Sequence, residues 1–426
     1  MLHALKKRLY FFVAAYFAFW AKVVLKRWKP RIVVITGSSG KTTLLHMAET
    51  QLDNRAVYSH HANSAIGIPF HILGMEPNIS SRTKWLSYIL RAPFHIFRRV
   101  PGAELYVVEA DCDRPYEGAF TSRLLKPEVT MWVSVSNTHS MNFDSLVQSG
   151  EYVTHEAAIA HEFGNFVEAT TKLVLANGDQ PALAKELDRA QTGVNVKQLS
   201  VKAVTQYSLA QDETVFMFGK RKIYLPGLHP KDAGVSLQMV NELLSYLGLE
   251  LDPLYGNLKH PPGRANLLKG INSTILIDST YNSSLGAARA MIELFSNYPE
   301  LRKWLVVTDI LELGDLEQSE HLQLAEEISK IQFERVVLLG RRTREYTYPA
   351  LKDKLPPERV VSFERAGDVL EYLQKEIRGG EAILFKGALG LEGVIDQLLA
   401  DPNDAKQLVR RSAVWTKRRQ EWGLPR

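Results

Sequence analysis

The most uniform stretch of the chain is Leu9 to Leu25 (LYFFVAAYFAFWAKVVL), apolar at almost every position and broken only by Lys22, which predicts a helix. Its length is near the lower limit for a bilayer span. Positive charge flanks both sides: Lys6, Lys7 and Arg8 before it, Lys26, Arg27, Lys29 and Arg31 after it. The charge rule therefore gives no orientation. No small-residue cleavage site follows before the next domain, which argues against a secretory signal. Tyr10, Tyr16, Trp20 and Trp28 are residue types favoured at a lipid headgroup boundary. Two readings stand, membrane association and a helix packed on protein, and the first is the expectation. Trp85 to Arg99 (WLSYILRAPFHIFRR) either shares that surface or is an amphipathic packing element.

From Arg31 the pattern changes to short β-rich runs alternating with helical ones. Ile32 to Ile35 predicts a buried strand, followed by a Gly/Ser turn and a helix from about Lys41. Leu105 to Val108, Val129 to Val135 and Leu173 to Leu175 are further strands with helical patterns between them. His260-Pro261-Pro262-Gly263 reads as a hinge, because paired prolines and a glycine stop both element types. The alternation then restarts with Thr274 to Ile277, a helix near Leu285 to Phe295, Trp304 to Val307, Val336 to Leu339 and Ala382 to Phe385. Strand–helix alternation predicts mostly parallel sheets covered by helices. The fold class expected is α/β: a P-loop parallel-sheet ATPase domain plus a C-terminal Rossmann-like α/β domain, preceded by an apolar N-terminal helix. The expected limits are 1–30 for that helix, 31–258 for the central domain and 259–426 for the C-terminal domain with its basic tail.

Composition narrows this only slightly. At 426 residues, with 45% hydrophobic and 23% charged positions, the chain has globular proportions and is too long for one ordinary core. Cys112 alone supports neither a disulfide framework nor a cysteine zinc site, and a cytoplasmic setting fits. The net charge of +5 is concentrated at the two ends, where Arg410, Arg411, Lys417, Arg418, Arg419 and Arg426 close the chain. Such ends bind anionic partners or are simply solvated; no nucleic-acid partner is expected.

The clearest chemistry is IVVITGSSGKTT, Ile32 to Thr43. Gly37, Ser38, Ser39 and Gly40 form a turn whose backbone N–H groups reach phosphate oxygens, and the helix N-terminus adds favourable potential. Lys41 would neutralise the β- and γ-phosphates, Thr42 would ligate magnesium, and Thr43 completes the loop. The general nucleotide-loop pattern is matched imperfectly, since its first glycine falls on Ile35. Such a loop serves kinases, GTPases, motors and ligases alike.

TGSSGKT resembles the short loop of the Mur ligases, nearest their D-alanyl-D-alanine-adding branch. Further segments are similar in the same order. Asn63 to Pro69 resembles the family's Asn-x-x-Ile-Gly-x-Pro, Val107-Val108-Glu109 its strand ending in a magnesium-binding glutamate, and Ser136 to His139 its Thr-Asn-x-x-x-His region. Asn177-Gly178-Asp179 resembles its Asn-x-Asp turn. Pro261 to Arg264 matches its Pro-x-Gly-Arg, and Ile277 to Asn282 resembles its Asp-Asp-Ser-Tyr-Asn. Asp309 to Gly314 with His321, and Lys386-Gly387 through Glu392, complete the series.

The resemblance implies an ATP- and Mg2+-dependent peptide ligase working through an acyl-phosphate. Its site would comprise Lys41, Glu109, His139 and Arg264, with metal on Thr42, Glu109 and His139. Arg264, Asp278, Tyr281 and Asn282 would bind the nucleotide. Ser279, Asp309 and Glu312 lie where the family binds adenosine or the incoming amine. The partners implied are a small-molecule carboxylate acceptor, a cell-wall precursor or a lipid-linked form of it, and an amino acid or dipeptide. Location would be cytoplasmic, at the inner face of the membrane through residues 9–25. Solvated or packing roles remain open for Glu109, Arg264, His139 and Tyr281.

The departures from the pattern are specific. Only about thirty-five residues precede the loop, where cell-wall members carry a uridine-nucleotide domain. His161 stands where the family often has a carbamylated lysine, and Gly227-Leu228-His229-Pro230 lacks the asparagines of Gly-x-His-Asn-x-x-Asn. Leu389 replaces the arginine of Lys-Gly-Ser-Arg. The rivals are a folate-type or polymer-forming ligase of the same superfamily, and a degenerate membrane-tethered nucleotide-binding protein.

Overall fold

The computed structural model describes residues 2–60, 62–76, 82–300 and 302–425, with the backbone alone given at 2–8, 82 and 83. The chain forms two compact units. The first comprises Met1–Val135, Ser145–Ser200 and Val235–Leu251; the second comprises Ser136–Asp144, Val201–Gly234 and Asp252–Arg426.

The first unit opens with helix α1 (Leu2–Trp28) and is built on a parallel six-stranded sheet. Its strands are β1 (Arg31–Thr36), β2 (Ala56–Tyr58), β3 (Leu105–Ala110), β4 (Val129–Trp132), β5 (Leu173–Asn177) and β6 (Asn195–Leu199). Their order is β2-β3-β1-β4-β5-β6. The inner strands are continuous apolar runs because a parallel sheet is covered by helices on both faces and needs no polar alternation. β1 lies between β3 and β4, and the strand order reverses there. Ligands bind in the crevice that such a reversal opens beyond the carboxyl ends of the strands. Pairing of Ile35 with Glu109 and of Thr36 with Trp132 brings these three strand ends level. Helices α2 (Lys41–Leu52), α3 (Gly67–Leu73), α4 (Arg82–His95) and α5 (Glu117–Leu125) belong to the same unit.

The second unit holds an antiparallel sheet of β7 (Gln206–Leu209), β8 (Glu213–Phe218) and β9 (Arg221–Pro226). Its larger sheet comprises β10 (Asn266–Lys269), β11 (Ile275–Ser279), β12 (Lys303–Thr308), β13 (Arg335–Leu339), β14 (Val360–Phe363) and β15 (Ala382–Lys386), in the order β10-β11-β15-β12-β13-β14. Only β10 runs antiparallel to its neighbour. Alternate residues feed two cores, one per face: Leu305, Val307 and Leu384 on one side, Trp304, Val306, Ile383 and Phe385 on the other.

The α/β class, the parallel sheets and the leading helix are those expected. β4 is shorter than the Val129–Val135 run suggests, and the reason is functional geometry: from Val133 the chain turns to wrap the Gly37–Gly40 loop. The antiparallel sheet has no comparable signal in the sequence, because its strands are short and only half buried.

Candidate active site

β1 delivers the chain into the Gly37–Gly40 turn, and α2 begins at Lys41. Gly37 and Gly40 have φ of 129° and 83°, and a Cβ on Gly37 would fall 2.7 Å from the Ser134 carbonyl oxygen. Only glycine fits so close an approach. Ser38 N–H donates to Ser134 O at 3.0 Å and Ser39 N–H to Ser134 Oγ at 2.9 Å, so Ser134 shapes the loop. No side chain caps α2, which leaves its N-terminal amides oriented for an anion.

Lys41 is buried, donates to Gly37 O, and pairs with Asp111 Oδ2 at 2.8 Å. Burial alone would lower its pKa, but the charges of Asp111 and Glu109 outweigh that cost and the net shift is upward. It is a fixed cation. Thr42 Oγ1 donates to Glu109 Oε2 at 3.0 Å, and Glu109 N–H is anchored on Ser59 Oγ at 2.9 Å. A hydroxyl beside a carboxylate is a hard-oxygen donor set that fits magnesium. Thr43 lies in the first turn of α2. Asn63 buttresses this edge, its carbonyl accepting from Asp111 N–H at 2.8 Å.

A second cluster forms at the carboxyl ends of β11 and β15. Asp278 is fully buried; Thr280 N–H and Oγ1 donate to its Oδ1 at 2.9 and 2.6 Å. Burial pushes its carboxyl up to about 6, and Oδ2 has no partner among the described residues. The Arg264 guanidinium lies 4.1 Å over the Tyr281 ring. Gly263, with φ of 73°, meets Tyr281 so closely that a Cβ would fall 2.7 Å from its nitrogen. Three consecutive carbonyls of the loop accept from basic side chains: Thr280 O and Tyr281 O from Arg410 at 2.8 and 2.6 Å, and Asn282 O from Lys386 at 2.6 Å.

The inward-facing Arg410 revises the reading of the basic C-terminus as solvated surface. Arg410 and Arg419 also approach the buried Glu392 carboxylate at 3.8 and 3.9 Å.

Burial, with the Arg264 charge adding to it, brings the Lys386 ammonium from its ordinary 10.5 down to about 7. Between those values the unfolded chain holds a proton that the folded chain has released, so stability rises with pH across that window. Lys386→Met is expected to flatten the rise, read as melting temperature against pH. An unchanged slope would contradict a buried, neutralised amine.

Other expected site residues are placed differently. His139 belongs to the second unit, where its Nδ1 meets Glu312 Oε2; both residues have positive φ, 56° and 62°. The structure joins Lys41, Thr42 and Glu109 in the first unit and does not bring His139 into that unit. Asp309 is used structurally, accepting from Thr343 N–H at 2.7 Å and Arg342 N–H at 3.2 Å. His321 accepts from Ile310 N–H at 3.1 Å through Nε2 and holds the segment before Glu312.

His161 sits against Arg189, whose Nη1 lies 3.3 Å from Nδ1 and 2.9 Å from the His161 carbonyl. A guanidinium at the imidazole makes a poor metal site. Its neighbour Glu162 instead accepts from Tyr116 and Gly118 N–H at 2.6 and 3.0 Å at the start of α5.

Residues 263–389 match the family model of the Mur ligase, glutamate ligase domain. The chain is 23% identical over 394 residues to UDP-N-acetylmuramoyl-tripeptide–D-alanyl-D-alanine ligase of Bacillus subtilis, covering 90% of this chain and 79% of that one. Its fold is similar to MurF of Thermotoga maritima in complex with ADP, with a TM-score of 0.70 at 19% identity over 92% of this chain and 83% of that one. It is also similar to folylpolyglutamate synthase of Mycobacterium tuberculosis complexed with ADP and AMPPCP, with a TM-score of 0.57 at 14% identity over 90% and 95%. Residues 263–389 thus carry a Mur ligase, glutamate ligase domain, and the chain as a whole is similar to MurF relatives along most of its length.

Proposed function

We propose that this protein is an ATP-dependent ligase joining a carboxylate acceptor to an amino acid or dipeptide in peptidoglycan precursor synthesis. The observation that carries the reading is the Lys41–Asp111 pair beside Thr42 and Glu109 at the mouth of a glycine loop. The acceptor carboxylate attacks the γ-phosphorus, the bond to ADP breaks, and an acyl-phosphate forms. The amine then attacks the acyl carbon, the C–O bond to phosphate breaks, and the amine gives up a proton.

Lys41 and the loop amides neutralise charge on the transferred group and hold it in line. Thr42 and Glu109 are the residues that would hold magnesium, which supplies further neutralisation. Asp278 Oδ2, which has no partner among the described residues, would accept from a ribose hydroxyl, and Arg264, Tyr281 and Asn282 would bind the nucleotide beside it. A second ion on His139 would have to displace the Glu312 contact. The functional division we adopt is 1–30, 31–258 and 259–426, with residues 136–144 and 201–234 packing as part of the second compact unit.

We take the acceptor to be lipid-linked and the protein to work at the inner face of the membrane, a reading supported by the apolar length of α1. A folate-type glutamyl ligase is the second reading, favoured by the 95% coverage of the folylpolyglutamate synthase chain. Phosphate release across a panel of acid and amine pairs tests the proposal. Release is expected only when both are present; release indifferent to the amine would overturn it.

A further inference from the structure

We propose that α1 and α4 form one in-plane docking face for an anionic lipid leaflet, so that α1 lies along the membrane and does not cross it. This deepens the membrane reading above and rests on it.

The buried side of α1 is committed to the protein. Ala14, Phe17, Ala21 and Val24 are fully buried, and the Phe17 ring packs tilted against Phe70 of α3 with centroids 4.5 Å apart. Tyr10 donates to Glu117 at 2.8 Å, Tyr16 to Ile89 O of α4 at 2.7 Å, and Trp28 to Ala103 O at 2.8 Å. A lone helix crossing a bilayer would have to leave this side of the protein and give it to lipid. Pulling α1 away would strip the buried Glu117 of its tyrosine donor.

The opposite side is apolar and bare. At about 100° per residue, Phe12, Ala15, Phe19, Lys22 and Lys26 fall within an arc of roughly 80°. Leu86, Leu90 and Phe94 make a similar stripe on α4, continued by Phe97 just past its end. Leu9, Phe12, Phe19, Leu86, Leu90, Phe94 and Phe97 are 58–78% exposed, on two helices in direct contact. Contiguous exposed aliphatic and aromatic rows of this kind mark an interaction face.

Charge chooses the occupant. Neither 2–31 nor 82–100 contains an acidic residue. Lys22 and Lys26 lie within the α1 arc, and Arg27, Arg91 and Arg99 stand beside the apolar rows, all of them exposed. Exposed apolar rows interspersed with cations, on helices without an acidic residue, are the signature of an interfacial helix on anionic lipid. Between α1 and α5 runs a groove of about 380 Å³ lined by Phe11, Phe120 and Leu124, with Lys22 and Arg123 on its walls. It suits an acyl chain whose headgroup phosphate meets the two cations.

The test is flotation of the full-length protein with phosphatidylcholine vesicles and with vesicles containing phosphatidylglycerol. Partitioning is expected to be at least about tenfold stronger onto the anionic vesicles and to weaken with salt. The Leu90→Glu/Phe94→Glu double variant should lose that partitioning at unchanged melting temperature, since both side chains are exposed. Alkaline carbonate should release the bound protein. Equal binding to both vesicles, undiminished binding of the double variant, resistance to carbonate, or self-association through this face without lipid binding would each overturn the proposal. Acid- and amine-dependent ATP turnover, followed on the same samples with a soluble acceptor, separates the two claims. Lost flotation with turnover retained sinks the docking face alone. Absent turnover with flotation retained sinks the ligase reading alone.

Discussion

Lys41→Met is expected to lower acid- and amine-dependent ATP turnover by roughly 10³-fold or more. Removing one preorganised donor from a developing charge costs about 10²–10³ in rate. A cation acting on a transferring phosphoryl group is worth roughly 10³–10⁵. Lys41 is held ready for that role: buried, positively charged, and fixed between Gly37 O and Asp111. The substitution also leaves the Asp111 carboxylate without its cation, and some loss of melting temperature should accompany it. Lys41→Met/Asp111→Asn removes that complication. The double variant should recover melting temperature without recovering turnover. A Lys41→Met protein within tenfold of the parent would remove the loop from the chemistry.

The second large effect is expected at Glu109. Glu109→Gln keeps the shape and an oxygen to accept the Thr42 hydroxyl, now 3.0 Å away, but removes the charge that a hard cation requires. The magnesium concentration giving half-maximal turnover should rise on the order of 100-fold, since even residues behind the ligands shift metal affinity 10–100-fold. Excess magnesium should restore much of the rate. Titration with magnesium at saturating ATP decides the matter, and an unchanged titration curve would place the ion elsewhere.

Local pattern carried much of the architecture. A buried apolar run, two glycines and Gly-Lys-Thr predict β1, the loop and α2, because each step depends on neighbours in sequence. Four strands of the second unit, β11, β12, β13 and β15, were legible for the same reason, as apolar runs demanded by burial on both faces. The residues missed are those whose meaning comes from distant partners. Ser134 matters because Ser39, 95 positions away, needs an acceptor. Arg410 is unremarkable in a basic tail until the fold carries it to Thr280 O, 130 positions away. Asp111 had a usable signal: two residues beyond Glu109, it falls on the same side of extended chain. Asp309 has a contact that its segment does not announce: its carboxylate caps the turn beginning at Thr343.

The origin of the oxygen in the released phosphate tests the central claim most directly. With an acceptor labelled in its carboxylate by oxygen-18, attack on the γ-phosphorus makes a carboxylate oxygen the bridge of the acyl-phosphate. Cleavage of the acyl C–O bond by the amine then leaves that oxygen on phosphorus. Mass spectrometry is expected to find one labelled oxygen in each phosphate formed with both substrates present. Phosphate released at the same rate but free of label would mean that water, not the acceptor, attacks the nucleotide.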